Sequence, residues 1–178
     1  MLRDLGKLFN TECRVLRIGK TFVYPIFRVG STSLKLEADQ VYINEEIGKC
    51  DMIDIFIRDP ETRFVSGINK YCRIKNSDVE KTWRLVSQNK LIDRHFVPQF
   101  YWLMHLSKFY KGDVRLRPFS DLKTITKIHL IRDKVEFKKK INVPLLKSFV
   151  DIDHRLSQHY NQTINLPELI KRYKHELS

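Results

Sequence analysis

The chain has 178 residues, with 33 Lys and Arg against 21 Asp and Glu, a formal charge of +12. That length suits one domain able to bury a core without disulfides or metals, and 42% hydrophobic residues exclude a disordered basic tail. The longest apolar runs, at 22–27 and 100–106, are far shorter than the roughly 20 residues of a membrane helix. The opening MLRDLGKLFNTECR lacks the apolar stretch of a secretion signal, and Cys13, Cys50 and Cys72 form neither a C-x-x-C pair nor an even-numbered framework. A soluble, reduced, cytoplasmic protein is expected.

Taken in order, residues 21–27 (TFVYPIF) form a β-branched and aromatic run that reads as a buried strand feeding a Gly-Ser-Thr-Ser loop. Leu34, Lys35, Leu36, Glu37 and Ala38 are good helix formers, so 33–38 is expected to open a short helix. Residues 40–44 (QVYIN) and 51–57 (DMIDIFI) read as two further strands, the second stopped by Arg58-Asp59-Pro60. A helix then starts with Asp59 as N-cap, Pro60 in the first turn and Glu61 at the positive end of the dipole. Phe64, Val65, Ile68 and Tyr71 carry its apolar spacing, and Arg63 is placed to pair back toward Asp59. Residues 78–89 and 98–110 read as helices, 114–119 (VRLRPF) and 127–131 as strands, and 144–160 and 167–177 as terminal helices. With no repeat, low-complexity segment or Gly/Ser linker, a single domain over 1–178 is expected. Strands alternating with helices predict an α/β fold with a central, mostly parallel sheet flanked by helices.

The positive charge is not concentrated. Its densest runs are Lys138-Lys139-Lys140 and the Lys171, Arg172 and Lys174 group, shorter than the five or more like charges of a nucleic-acid arm. No zinc-finger, basic-zipper or RNP-type pattern is present, so nucleic acid is not the expected partner.

Two strand ends carry chemistry suited to phosphate. In open α/β sheets ligands sit at the carboxyl ends of strands. After the first strand come Arg28-Val29-Gly30-Ser31-Thr32-Ser33, where a glycine allows close backbone approach, consecutive N–H groups can cradle oxygens and three hydroxyls add donors. The G-x-x-x-x-G-K-[ST] spacing of a Walker A loop is absent, and alone the segment also reads as an ordinary turn. After the third strand, Arg58 at the sheet edge and Ser66, about two helical turns into the next helix, form a possible clamp for a second phosphate.

Together these segments resemble the two signature motifs of the sulfotransferases that use 3′-phosphoadenosine-5′-phosphosulfate (PAPS). The R-x-G-S-T-S loop is similar to their 5′-phosphosulfate loop, and Arg58-Asp59-Pro60-x-x-Arg63-x-x-Ser66 to their 3′-phosphate motif. Asp93-Arg94-His95-Phe96-Val97-Pro98-Gln99 resembles a D-x-H-x-x-P-Q element of the carbohydrate branch, and 114–122 resembles, more loosely, a later strand and turn of that branch. The resemblance spans about residues 21–122. It departs from the family in having Arg28 where many relatives have Lys immediately after Pro, in placing Pro25 three positions before Arg28, and in a short interval from Gly30 to Arg58.

The resemblance implies a P-loop-like three-layer fold and metal-free sulfuryl transfer from PAPS to an acceptor hydroxyl, of a carbohydrate by preference. Arg28, Val29, Gly30, Ser31, Thr32 and Ser33 would hold the phosphosulfate, with Arg28 also stabilising charge on the departing phosphate, and Arg58 and Ser66 would hold the 3′-phosphate. The general base is open between Glu45 and Glu46, which follow a strand, and His95, whose ordinary pKa suits the task, with Glu37 a further option. Glu45 and Glu46 also read as a solvated acidic turn, His95 as a structural histidine, and Trp83 and Trp102 as core. Arg94, Lys108, Lys111, Arg115 and Arg117 are available to line a groove for an anionic acceptor. A non-catalytic nucleotide binder and a basic nucleic-acid binder are the competing functions.

Overall fold

The computed structural model describes residues 8–9, 12–30, 34–130 and 146–175. Ser31, Thr32 and Ser33 of the phosphate-loop motif, and the Lys138–Lys140 run, lie outside the described residues.

A six-stranded sheet runs in the order β4-β1-β2-β5-β6-β8, formed by Gln40–Tyr42, Val15–Ile18, Thr21–Tyr24, Met52–Ile57, Asp113–Pro118 and Thr163–Asn165. Only β2–β5 and β5–β6 pair in parallel; β1–β2, β1–β4 and β6–β8 are antiparallel. The sheet is therefore mixed and not mostly parallel. The tight β1–β2 turn at Gly19 (φ +58°) makes a hairpin that adds an antiparallel flank to the central strands. Because β2, β5 and β6 run the same way, the chain leaves all three at one edge, where Arg28 and Arg58 follow their strands.

Alternation sorts the central strands onto two faces. Ile53, Ile55 and Ile57 of β5 and Val114 and Leu116 of β6 pack into the main core, with Phe100, Leu103 and Leu106 of α3 (Gln99–Leu106) and Leu166, Leu169 and Tyr173 of α5 (Leu166–Lys174). The opposite face buries Val23, Phe27, Phe56 and Leu122 under a second sheet of β3 (Leu34–Leu36) and β7 (Ile128–Leu130). Beside the sheet, α1 (Pro60–Lys75), α2 (Val79–Ser87) and α4 (Lys147–Leu156) enclose their own cluster around Phe64, Ile68, Val86, Phe96 and Phe149.

The helix expected at 33–38 is instead β3. Its helix-forming residues pair with β7, with Lys35 opposite His129, so tertiary pairing overrides local propensity. β1 and β8 had no counterpart among the expected strands, being four and three residues long. The expected α1 start is observed: Asp59 Oδ1 accepts from the Thr62 backbone N–H at 2.8 Å and its hydroxyl at 2.5 Å. Asp78 caps α2 in the same way through the Lys81 N–H at 2.7 Å.

Asp54 carries the charge balance of the sheet. It lies 1% exposed in the middle of β5, directly opposite Arg115, and receives that guanidinium twice, at 3.1 and 2.9 Å. Arg117 donates to it at 3.2 Å, reaches Asp121 at 3.6 Å and lies over the Phe56 ring at 5.1 Å. Arg115 and Arg117 are thus committed to Asp54 and do not stand free for an anionic acceptor as expected. Replacing Asp54 by Asn strips the charge that both guanidinium groups share. We expect a loss of about 2–3 kcal/mol, measured as a lowered urea midpoint, reduced from the cost of a fully buried pair because both arginines keep some hydration.

Candidate functional site

The three expected motif segments meet at a contact made of main chain. Gly30 has φ +79°, a backbone conformation that side chains resist, and a Cβ there would lie 2.9 Å from the His95 carbonyl oxygen and 3.3 Å from the Gly67 Cα. A Cβ on Gly67 would come within 2.2 Å of the same oxygen and 2.8 Å of the His95 carbonyl carbon. The loop after β2, the second turn of α1 next to Ser66, and the His95 segment therefore touch where no side chain fits. Ser66 is half-buried at this junction.

Arg58 closes the same region from β5. Its guanidinium reaches the Phe27 carbonyl at 3.5 Å, so it leans from the β5 edge toward the loop that carries Arg28. Its main chain is clasped by the Gln99 side chain, whose Oε1 accepts from the Arg58 N–H at 3.0 Å and whose Nε2 donates to the Arg58 carbonyl at 3.0 Å. Burial lowers the Arg58 pKa, and the Asp59 charge opposes that shift. Arg28 ends a short 3₁₀ turn, Ile26–Arg28, and is exposed, while its neighbours Ile26 and Phe27 are buried.

Asp153 of α4 fixes Gln99. Its Oδ2 accepts from the Gln99 N–H at 2.7 Å and the Gln99 Nε2 at 3.3 Å, and its Oδ1 accepts from the Phe100 N–H at 3.0 Å. The carboxylate therefore caps α3, whose own cap position is Pro98 with no side-chain acceptor. Arg63 supplies the compensating charge. It does not turn back to Asp59 as expected; it is 1% exposed, donates from Nη1 to the Val97 carbonyl, and interacts electrostatically with Asp153. Burial pushes the Arg63 guanidinium down to about 10, against the pull of Asp153, which still leaves it charged at neutral pH. Burial pushes the Asp153 carboxyl up, opposed by Arg63 and by the Gln99 and Phe100 hydrogen bonds.

His95 is oriented by its neighbour. Its Nδ1 lies 2.5 Å from Asp93 Oδ1, and its backbone N–H donates to the same oxygen at 2.9 Å. Burial would raise the Asp93 carboxyl, but the His95 hydrogen bonds and the His95 and Arg94 charges outweigh it and hold it below the usual carboxylate range. With Nδ1–H directed at a carboxylate, Nε2 of the neutral ring is left as the basic nitrogen. This is the arrangement a histidine base requires.

The acidic candidates are carried by other segments. Glu45 is exposed, and Glu46 forms an ion pair with Lys49 at 3.6 Å, both in the connection after β4 at the sheet margin. Glu37 faces His129 at 3.5 Å beside the β3–β7 sheet. The structure thus brings together Gly30, the Arg58 and Ser66 segments and His95, with Val29 and Arg28 adjoining; Glu45 and Glu46 leave the sheet at the same edge but after β4, two strands from β2. Gln99, Asp153 and Arg63 are the positioning residues that sequence reasoning did not assign. Among the described residues, no group of three His, Cys, Asp or Glu side chains is placed to hold a metal ion, and no helix is long and apolar enough to cross a membrane.

Comparison with models of known protein families, with curated proteins and with solved structures finds no match to this chain.

Gly67→Ala forces a Cβ into the His95 carbonyl and is expected to cost about 1–3 kcal/mol. Gly48→Ala, where a Cβ meets nothing within 4 Å, is expected to stay within about 0.5 kcal/mol. Paired chemical denaturation curves of the two variants check this contrast.

Proposed function

We propose that the protein binds a nucleotide bearing a 3′-phosphate and a 5′-phosphosulfate and transfers the sulfuryl group to an acceptor hydroxyl, on a P-loop-like arrangement of β2, β5 and β6. The observation that carries this reading is the Gly30–Gly67–His95 contact, because it gathers the three motif segments at one edge of the sheet. A chance set of short motif matches has no reason to converge in space.

In this reading Arg58 and Ser66 hold the 3′-phosphate, while the loop from Arg28 through Val29 and Gly30 to Ser33 holds the phosphosulfate. His95 Nε2 takes the acceptor proton as the acceptor oxygen bonds to sulfur and the bond from sulfur to the bridging oxygen breaks. Arg28 stabilises the charge that collects on the departing phosphate; being permanently protonated, it acts electrostatically and donates no proton. The Asp93 carboxylate holds the neutral ring in the tautomer whose Nε2 can accept a proton and stabilises the imidazolium that forms. The Asp93 pairing favours His95 over Glu45 and Glu46 as base. Three buried free thiols suit a cytoplasmic, reducing setting.

The desulfated nucleotide, adenosine 3′,5′-bisphosphate (PAP), is expected to raise the melting temperature, with about 2.7 kcal/mol of stabilisation at a hundredfold excess over Kd. Arg58→Ala should abolish that shift. An unshifted wild-type protein at saturating PAP would remove both the transferase and the nucleotide-binder readings, and tight, salt-sensitive DNA or RNA binding would then favour a nucleic-acid function. Transfer of labelled sulfate to a glycan panel is expected to fall about 10²- to 10⁴-fold in His95→Gln and to persist in Glu46→Gln. PAP binding without transfer to any hydroxyl would identify a non-catalytic binder.

A further inference from the structure

The strand order β4-β1-β2-β5-β6-β8 leaves two outer strands, β4 at one side of the sheet and β8 at the other. A strand paired on one side only turns part of its N–H and C=O groups outward, where a further strand can add. Proteins commonly blunt such strands with lysine, proline or a covering element. From Asp39 to Ile43 the β4 segment contains neither Lys nor Pro, in a chain with 33 Lys and Arg. Gln40 and Val41 stand exposed. The strand's one protection is its length of three residues.

Its side chains mark it further. Tyr42 is buried in the main core and meets Phe22 edge-on at 5.3 Å, which ties β4 to the body of the sheet. On either side of it, Val41 and Ile43 are 45% and 40% exposed. Among the described residues, Ile74 on α1 is the one other large apolar side chain so exposed. Val41 lies opposite Leu16, which lies opposite Val23, and both of these inner residues are buried. An apolar row thus runs outward across the sheet and ends in solvent at Val41. β8 has no such end, since its exposed residue is Thr163 and Ile164 is half-buried.

Charge selects the partner. Asp39 precedes the strand and Glu45 follows it; both are exposed, and neither forms an ion pair among the described residues. Glu37 and Glu46 are already engaged, by His129 at 3.5 Å and Lys49 at 3.6 Å. β4 is therefore flanked by free carboxylates in a protein of net charge +12. A second copy fits poorly. Antiparallel pairing about Val41 or Tyr42 would run Glu37 and Asp39 of each copy toward Glu45 of the other, and like charges facing across strands repel. A basic segment gains from the carboxylates that repel a second copy.

We propose that β4 is the docking strand for an extended, basic segment of another protein, which joins the sheet as a seventh strand, sets β-branched side chains against Val41 and Ile43, and directs Lys or Arg toward Asp39 and Glu45. Main-chain hydrogen bonds supply affinity in this mode, and alternate side chains supply selectivity. β4 is three strands from β5 and Arg58 in the sheet order, so the proposal does not require the sulfuryl-transfer reading.

The probe is the capped peptide acetyl-KTVTVTK-amide, with ETVTVTE as the acidic control, titrated into the intact chain and followed by ¹H–¹⁵N spectra. Shifts and slowed amide exchange are expected at residues 39–43 and not at Thr163–Asn165. The basic peptide should bind about fivefold more tightly than the acidic one and weaken as salt is raised. Of two copies of the probe N-methylated at odd or at even positions, one alone should keep its affinity, because only alternate N–H groups of a strand face its neighbour. Val41→Lys, at an exposed position, is expected to weaken the probe about tenfold, equivalent to one lost apolar contact and an added like charge. Equal binding of ETVTVTE, equal affinity of both N-methylated copies, shifts absent from 39–43, full affinity in Val41→Lys, or a dimer in sedimentation whose contact is 39–43 would each overturn the proposal. The melting shift given by PAP should persist in Val41→Lys, so the failure of either reading is seen separately.

Discussion

The buried carboxylate of Asp153 is the constraint on which the candidate site rests. It is a charge taken out of water, and it is tolerated because two N–H groups at the start of α3, the Gln99 amide and the Arg63 guanidinium surround it. The arrangement joins three elements by polar contacts. α4 caps α3, α3 presents Gln99 to the end of β5, and α1 sends Arg63 beneath them. Gln99 then holds both main-chain groups of Arg58, so the orientation of a surface-edge arginine depends on a carboxylate from a helix that begins well beyond Gln99, with Asp153 itself 54 residues after Gln99.

The same economy of charge recurs on the other face of the sheet. Asp54 neutralises Arg115 and Arg117, leaving the net +12 carried largely by side chains outside the two buried networks. Arg58 is the cation that bridges the two regimes, half-buried, anchored through its backbone, with its guanidinium at the sheet edge. Total charge is therefore a poor guide to this molecule. Its informative charges are those whose surroundings fix their direction.

Much of the architecture is legible in local sequence, wherever the signal is local. The run of β5 and the Asp59-Pro60 start of α1 are short-range features, and both are found where the pattern places them. Leu34–Leu36 is not, because its partner Ile128–Leu130 lies more than ninety residues on, and strand pairing across that distance leaves no trace in helix propensity. Arg63 follows from the same limit: an Asp59–Arg63 pair is a sound local expectation, but the position falls on the buried side of α1 beside Phe64 and Gly67. At the candidate site, the glycines, Arg58 and His95 carry recognisable spacing, whereas Asp153 has no sequence neighbour in the site.

The junction of Gly30, Gly67 and the His95 carbonyl is backbone against backbone. Side chains around it can be exchanged to alter charge, size or reactivity, but the width of the gap is set by covalent dimensions common to every residue. The loop, the helix and the histidine segment thus share a fixed datum from which the surrounding groups are measured, and chemical variation at this edge of the sheet can proceed without loss of alignment.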